Sequence, residues 1–232
     1  MSPRETFDRA LGRLRDDLLL LGSMTEEAIM RSIDALKKRD LDAAREIIAD
    51  DLKINDKRFD IEEQCIQLIV TQQPMASDLR AIIAVLHISV DLERMADHAE
   101  GIARINILMG DEPLLKPLID LPRMAEKATD MLHRSLVAFL EQDVEEAKRI
   151  SDEDDEVDAL YNQVYRELVT YMIEEPRNIT RANYLLWVAH NLERVADRVT
   201  NICERVIFLS TGKMQELNVT RLENYDISRA MG

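Results

Sequence analysis

The chain opens with an apolar seam whose members recur every three or four positions. Alternating spacings of four and three are typical of a long helix packed against nearly parallel neighbours. We therefore predict one long helix over this stretch. Its seam consists of Phe7, Leu11, Leu14, Leu18, Leu21, Thr25, Ala28, Ser32 and Ala35.

Two further helices follow before residue 110. Asp40 is a predicted N-cap for the second helix, and Pro74 in the segment QQPMAS separates the second helix from the third. The second seam contains Ala44, Ile47, Asp51, Ile54, Arg58, Ile61, Cys65 and Leu68. The third helix carries Leu79, Ile83, Leu86, Val90, Glu93 and Asp97 on one side, and Ile88, Leu92, Met95, Ala99 and Ile102 on the other.

The same pattern then begins again. Residues 110–122 (GDEPLLKPLIDLP) hold three of the six prolines, which marks a linker. The first two seams return 103 positions later, so that Leu18, Leu36, Asp40, Asp51 and Ile54 correspond to Leu121, Phe139, Asp143, Asp154 and Val157, and the third returns 100 positions later. We predict an all-α protein of two tandem three-helix bundles with six long helices. The predicted divisions are 1–112, 113–212 and a polar C-terminal tail, 213–232.

A short motif occurs once in each repeat. Residues 92–98 read LERMADH and residues 192–198 read LERVADR, so Glu93 and Asp97 return as Glu193 and Asp197. Acids four positions apart lie on the same helix face and repel by roughly 0.2–0.5 kcal/mol. The motif therefore predicts a positive group between the acids, which could be a metal ion, an arginine or a partner protein.

The turn at Pro74 brings more polar groups to the motif. Asp51 lies 23 residues before Pro74 and Asp97 lies 23 after it, while Asn55 and Glu93 lie 19 on either side. In an antiparallel hairpin these side chains reach one height, about 30 Å from the turn. The candidate metal ligands are Asp51, Asn55, Glu93 and Asp97 in the first repeat, and Asp154, Asp158, Glu193 and Asp197 in the second.

The chemistry of these groups favours a hard or borderline cation. Asp51 and Asp154 occupy seam positions, where a buried carboxylate without a partner would cost several kcal/mol. Oxygen donors suit Mg²⁺, Mn²⁺ or iron better than thiolate-binding ions. We expect a divalent or iron-type ion, that is Fe, Mn, Mg or Zn. The alternative is that Arg94 and Arg194 form local ion pairs with Asp97 and Asp197 on a solvated face.

Composition excludes several classes of function. A net charge of −15 disfavours nucleic-acid binding, which depends on clustered Lys and Arg. Cys65 and Cys203 have no metal-binding or disulfide-scaffold spacing. There is no signal-peptide pattern and no apolar run near the ~20 residues of a membrane span, so we expect a soluble cytoplasmic protein. No glycine-rich phosphate loop or GxSxG motif is present, and no histidine has a Glu three residues before it, so we predict no enzyme activity.

Two segments carry a resemblance to a known family. PMASDLRAIIAVLHISVDLERMADHAEGIA at 74–103 and LERVADRVTNICERVIFLSTG at 192–212 resemble the PhoU family of bacterial phosphate-uptake regulators. The family usually reads DHAxNIA; Asn201 matches that asparagine, Gly101 is its counterpart in the first repeat, and Arg198 replaces the histidine that His98 retains.

The resemblance implies both a fold and a role. It implies two three-helix bundles placed end to end that bind metal clusters through ExxxD motifs, matched here by Glu93 with Asp97 and by Glu193 with Asp197. It also implies a cytoplasmic negative regulator that connects the ATPase subunit of a phosphate ABC transporter with a sensor histidine kinase. We further expect a homodimer that reaches the membrane only through protein partners.

Two other functions remain open from the sequence. A metal-dependent phosphoesterase or di-iron oxidoreductase would need open coordination positions and a general base or suitable histidines. An accessory protein of another phosphate permease would share the fold but contact a different membrane partner.

Overall fold

Helices account for all the regular structure that is described. A computed structural model describes residues 3–110 and 112–217, and those ranges contain no β-strand. The α-helices are α1 (Pro3–Lys38), α2 (Leu41–Gln72), α3 (Ser77–Leu108), α4 (Asp120–Glu141), α5 (Val144–Asp152), α6 (Asp154–Glu174) and α7 (Ile179–Thr211), with a 3₁₀ turn at Pro176–Asn178. Glu153 alone separates α5 from α6, and its N–H still bonds to the Arg149 carbonyl at 3.2 Å. When α5 and α6 are counted as one interrupted helix, the six predicted long helices are confirmed.

The two repeats start their second helices with the same kind of cap. The Asp40 carboxylate accepts hydrogen bonds from the N–H groups of Asp42 and Ala43, at 3.1 and 2.9 Å. The Asp143 carboxylate accepts from the N–H of Glu146 at 2.9 Å. Such caps satisfy amide groups that the first turn of a helix leaves without partners.

The hairpin between α2 and α3 has the register that the sequence predicted. Gln73 ends α2 in a left-handed conformation, with φ of 48°. The Cys65 thiol lies 3.8 Å from the Ile82 carbonyl, and these residues stand nine before and eight after Pro74. The same register places Asp51 at the height of Asp97.

The linker between the repeats is shorter than predicted. Because α4 begins at Asp120, residues 120–122 of the predicted linker belong to a helix. Pro122 lies in the first helical turn, where its missing N–H costs no intrahelical hydrogen bond. The predicted division between 112 and 113 falls within the segment that remains.

The predicted seams form the core. Thr25 is a polar seam member that is fully buried, and its hydroxyl donates to the carbonyls of Leu21 and Leu92. Buried seam residues include Leu14, Leu18, Leu21, Leu36, Ala44, Ile61 and Cys65 in the first repeat, and Leu121, Met124, Phe139, Ala147, Ile150 and Val157 in the second.

The bundles lie side by side, so the end-to-end arrangement expected from the resemblance is wrong. Helix α3 packs along α7 and α1 packs along α4. The first of these pairs is antiparallel, since His98 contacts Asn191 while Asp91 contacts Arg198. Because α3 is apolar on both sides, it can face its own bundle and the other one, and most buried residues of both repeats belong to one continuous cluster.

Only the start of the C-terminal tail is described. The N–H of Leu217 donates to Glu204 on α7 at 2.9 Å. The rest of the predicted tail, 218–232, lies outside the described residues.

Candidate metal sites of the two repeats

The first candidate site lies between α2 and α3. Asp51 and Asn55 occupy successive turns of α2, and the Asn55 amide donates to one Asp51 oxygen at 2.9 Å. Glu93 and Asp97 come from α3, and both are close enough to influence the ionisation of Asp51. The structure therefore brings the four predicted residues of the first repeat into one neighbourhood.

Asp51 is the most perturbed member of this group. Burial raises the pKa of its carboxyl to about 6, and the negative charges of Glu100, Asp97 and Glu93 act in the same direction, against the hydrogen bond from Asn55. Its Oδ1 atom is buried and accepts no hydrogen bond from any residue in the described ranges. A cation at this position would give that oxygen a partner and relieve the repulsion among the acids.

The ionisation of Glu93 is also perturbed. Its pKa is raised, first by burial and then by the charge of Asp97, while Arg58, Arg94 and Arg198 oppose the shift. Within the described chain, Arg94 forms no ion pair with Asp97, so the local pairing considered from the sequence is absent in the first repeat.

Glu100 belongs to this site although the sequence analysis did not select it. Among the acids that raise the pKa of Asp51 it has the largest effect, and it also bonds to Arg104. Together with Asp51 and Arg31 it lines a cavity of about 240 Å³ between the helices. Its position three residues after Asp97 was a usable signal, but its counterpart in the second repeat is Thr200. The repeat pattern of acids therefore does not indicate Glu100.

The second candidate site is built around a more deeply buried acid. Asp154 is only 1% exposed and is the first residue of α6, directly after the interruption at Glu153. Glu153 itself forms ion pairs with Arg134 and Lys127, with N–O distances of 2.9 and 2.7 Å. Asp158 follows one turn later and is partly buried.

The α7 side of the second site has different neighbours from the α3 side of the first. The ring of His190 lies 3.3 Å from Glu193 on α7. Burial and then the charge of Glu193 raise the pKa of Tyr161, which places this phenol beside the same carboxylate. Asp197 lines a separate cavity of about 310 Å³ with Arg194 and other residues. Imidazole and phenol groups therefore adjoin the second set of acids.

The oxygen-rich donor sets fit the predicted ions in chemistry. In residues 3–110 and 112–217, however, no three His, Cys, Asp or Glu side chains converge closely enough to hold one ion as they are placed. Side chains from two helices would have to rotate inward to share a cation. Metal binding by Asp51, Asn55, Glu93, Asp97, Asp154, Asp158, Glu193 and Asp197 thus stays a prediction.

Both sites adjoin the contact between the repeats. His98 Nδ1 lies 3.0 Å from the Asn191 amide oxygen, and the repeat-related pair is Arg198 with Asp91, at 3.2 Å. Asn201 also donates to Asp91 at 3.2 Å. A side chain at Gly101 would stand 3.3 Å from that Asn191 oxygen. Gly101 and Arg198, the two residues that depart from the family pattern, therefore both lie in this interface. The missing side chain at residue 101 leaves room for Asn191, and Arg198 bonds to Asp91.

Comparison with known proteins gives a consistent result across both repeats. The family model for the PhoU domain matches residues 18–105 and 121–206. The PhoU homolog of Aquifex aeolicus, called a phosphate-specific transport system accessory protein, is 41% identical over 206 residues, covering 89% of this chain and 93% of that protein. The Clostridium acetobutylicum homolog of the same description is 38% identical over 216 residues, covering 93% and 99%.

Solved structures show the same similarity in three dimensions. The crystal structure of the phosphate transport system regulatory protein PhoU from Streptococcus pneumoniae superposes with a TM-score of 0.85 at 33% identity, covering 91% of this chain and 100% of that one. PhoU from Pseudomonas aeruginosa gives a TM-score of 0.84 at 33% identity, covering 89% and 100%.

Proposed function

The chain belongs to the PhoU family, and on that premise we propose that it is an accessory protein of a phosphate-specific transport system. Its proposed action is to repress phosphate uptake and phosphate-starvation signalling while phosphate is plentiful. The observation that carries the proposal is the match of both repeats to one family, together with relatives that align over nearly their whole length.

The proposed mode of action is docking. The partners are the ATPase subunit of the phosphate ABC transporter and a sensor histidine kinase, and the protein acts on the cytoplasmic side as a homodimer. No helix in the described part of the chain is both long and apolar enough to span a bilayer. The net charge of −15 favours basic patches on the partners, because opposite charges speed encounter.

Metal binding is proposed as a structural part of this role. An ion would neutralise the acids around Asp51 in the first repeat and those around Asp154 in the second, and would link the second and third helices of each bundle. Two features of the first repeat support it, namely the buried Oδ1 of Asp51, which accepts no hydrogen bond within residues 3–110 and 112–217, and the shared effect of Glu93, Asp97 and Glu100 on the pKa of Asp51. A bound cation would also give an otherwise acidic surface an attraction for phosphate.

Catalytic turnover is not part of the proposal. Burial raises the pKa of both thiols, Cys65 and Cys203, to about 12, so neither is a ready nucleophile at neutral pH. His190 with Glu193 resembles a base with its orienting acid, but it stands 57% exposed at a helix surface. A metal-dependent phosphoesterase remains the alternative, and steady turnover after metal loading would favour it.

Deletion of the gene in its native cell tests the proposal. We expect phosphate-starvation genes to be expressed in phosphate-rich medium, and the unaltered gene to restore repression. Complementation with Glu93→Ala/Asp97→Ala or Glu193→Ala/Asp197→Ala then shows whether the acids are needed. The proposal would be contradicted if the deletion strain showed normal repression and the protein associated with no kinase or transporter component. Only the accessory role at another permease would then remain.

A further inference from the structure

An apolar stripe runs along the solvent side of α2. Its members are Leu52, Phe59, Ile66 and Val70, which are 67%, 57%, 58% and 69% exposed. Their spacings of seven, seven and four keep them on one face, away from the core residues Ile54, Ile61 and Leu68. The stripe is about 27 Å long, the length of five helical turns. A row of exposed apolar side chains on one helix face marks an interaction site more often than scattered single residues do. The Arg58 guanidinium lies over the Phe59 ring, 4.7 Å from its centre.

An acidic groove borders the stripe on one side. The groove lies between α1 and α2, encloses about 820 Å³, and is lined by four acids, Asp16, Asp17, Asp60 and Glu63, and by two bases, Arg13 and Lys57, among other residues. Lys57 already pairs with Asp17. Within the described residues, Asp16, Asp60 and Glu63 form no ion pair and are exposed. Negative charge therefore remains available beside the apolar stripe.

We propose that the α2 stripe and its acidic groove bind an amphipathic helix of a partner protein, with apolar residues facing the stripe and Lys or Arg reaching the groove. The complementary pattern of apolar and charged positions identifies this occupant. A second copy of the chain fits less well, because pairing two stripes about their centres brings Asp60 and Glu63 of each copy close to the same acids.

The second repeat has only part of this surface. The positions equivalent to Leu52 and Phe59 are Asp155 and Asn162 on α6, whereas those equivalent to Ile66 and Val70 are the apolar Val169 and Ile173. A stripe required only to complete the bundle fold would be expected over its full length in both repeats. The half of the apolar face at Leu52 and Phe59 is thus a property of the first repeat alone.

The proposal deepens the docking role given above, and its assay requires no component of a phosphate system. The probe is a fluorescent amphipathic peptide about 18 residues long, with leucine on one face and lysine on both flanks. Fluorescence anisotropy with the full chain should show saturable binding. Failure of this assay would leave the deletion phenotype unaffected, so the two proposals can fail separately.

Matched variants locate the binding surface. Phe59→Ser with Ile66→Ser should weaken peptide binding at least about tenfold, since two apolar contacts are lost. The control is Tyr165→Ser with Ile173→Ser, which alters two exposed apolar residues of the second repeat and should leave binding unchanged. Equal losses in both variants, or no saturable binding to the unaltered chain, would overturn the proposal.

Charge variants test the groove. Asp60→Asn with Glu63→Gln should flatten the salt dependence of binding, whereas Glu126→Gln with Asp152→Asn removes the same charge elsewhere and should not. Sedimentation provides the last check. A dimer that dissociates when Phe59 and Ile66 are replaced would assign the stripe to a second copy and overturn the proposed occupant.

Discussion

The two repeats share one backbone plan but surround it with different chemistry. The first site has Arg58 and Glu100 where the second has Tyr161 and Thr200, and His190 replaces a valine. The first site is thus a cluster of carboxylates with an arginine whose charge opposes the rise in the pKa of Glu93. The second site adds an imidazole and a phenol. The helical seams recur in both repeats because packing requires them, whereas positions beside the seams differ. Variants in each repeat can measure how far the repeats act as one unit and how far their sites differ.

The largest effect is expected in the shared core. Phe139 and its counterpart Leu36 are both buried in the same cluster. Phe139→Ala should lower the free energy of unfolding by about 3–5 kcal/mol and Leu36→Ala by about 2–5 kcal/mol, through lost burial and a new cavity. Urea denaturation followed by circular dichroism should show one transition in each variant. Two separate transitions, with only one displaced, would contradict a common core.

Metal loading should distinguish the sites. An ion at one hundred times its Kd should stabilise the fold by about 2.7 kcal/mol per site. Glu193→Ala/Asp197→Ala and Glu93→Ala/Asp97→Ala should each abolish one site's share of bound metal and of the rise in Tm. We expect His190→Ala to weaken Zn²⁺ binding at the second site only, because imidazole is a zinc ligand. If both double variants kept the metal content of the unaltered chain, the assignment of these residues as metal ligands would be wrong.

Acid pH should weaken the ion pairs of two carboxylates that occupy equivalent positions in the two repeats. Hydrogen bonding to Arg134 lowers the pKa of Glu153, and Lys53 with Arg31 lowers that of its counterpart Asp50. A carboxyl whose pKa is lowered by folding contributes stability above its ordinary pKa and loses it as pH falls through the folded value. Glu153→Gln should therefore remove about 1 kcal/mol at pH 7 and less at pH 3.

The control for this prediction is the other repeat. Asp50→Asn should have the same sign and a smaller effect, because Asp50 is the more exposed carboxylate of the two. Denaturation at several pH values measures both. A Glu153→Gln effect that grows toward acid pH would show that the ion pair is not the cause.

The smallest effect is expected where the repeats meet. Replacing a helical glycine by alanine ordinarily stabilises by roughly 0.5–1 kcal/mol. Gly12→Ala should do so because, beyond its own helical turn, no atom of the described residues lies within 4 Å of the new Cβ. At Gly101 the Cβ would crowd Asn191 and disturb its contact with His98. Gly101→Ala should therefore change thermal stability by less than about 0.5 kcal/mol. An equal gain at both positions would show that this contact is dispensable.

The sequence alone determined the helices, their repeat and the pairing of α2 with α3. Helical spacing depends on near neighbours in the chain, so seams at Leu14, Leu18 and Leu21 and a cap at Asp40 can be read directly. The same reasoning placed Asp51 opposite Asp97, because distances from Pro74 fix the height of each residue.

Tertiary structure decided what surrounds those residues. The side-by-side contact of the bundles, the role of Glu100, the interruption before Asp154 and the approach of His190 to Glu193 depend on which faces meet and how deeply each group is buried. The pKa of Asp51 has the same origin, since burial and charges from another helix set it. Spacing along a chain can fix the register of a hairpin, but it does not determine which faces of the two bundles meet, because each apolar face can be covered by more than one partner.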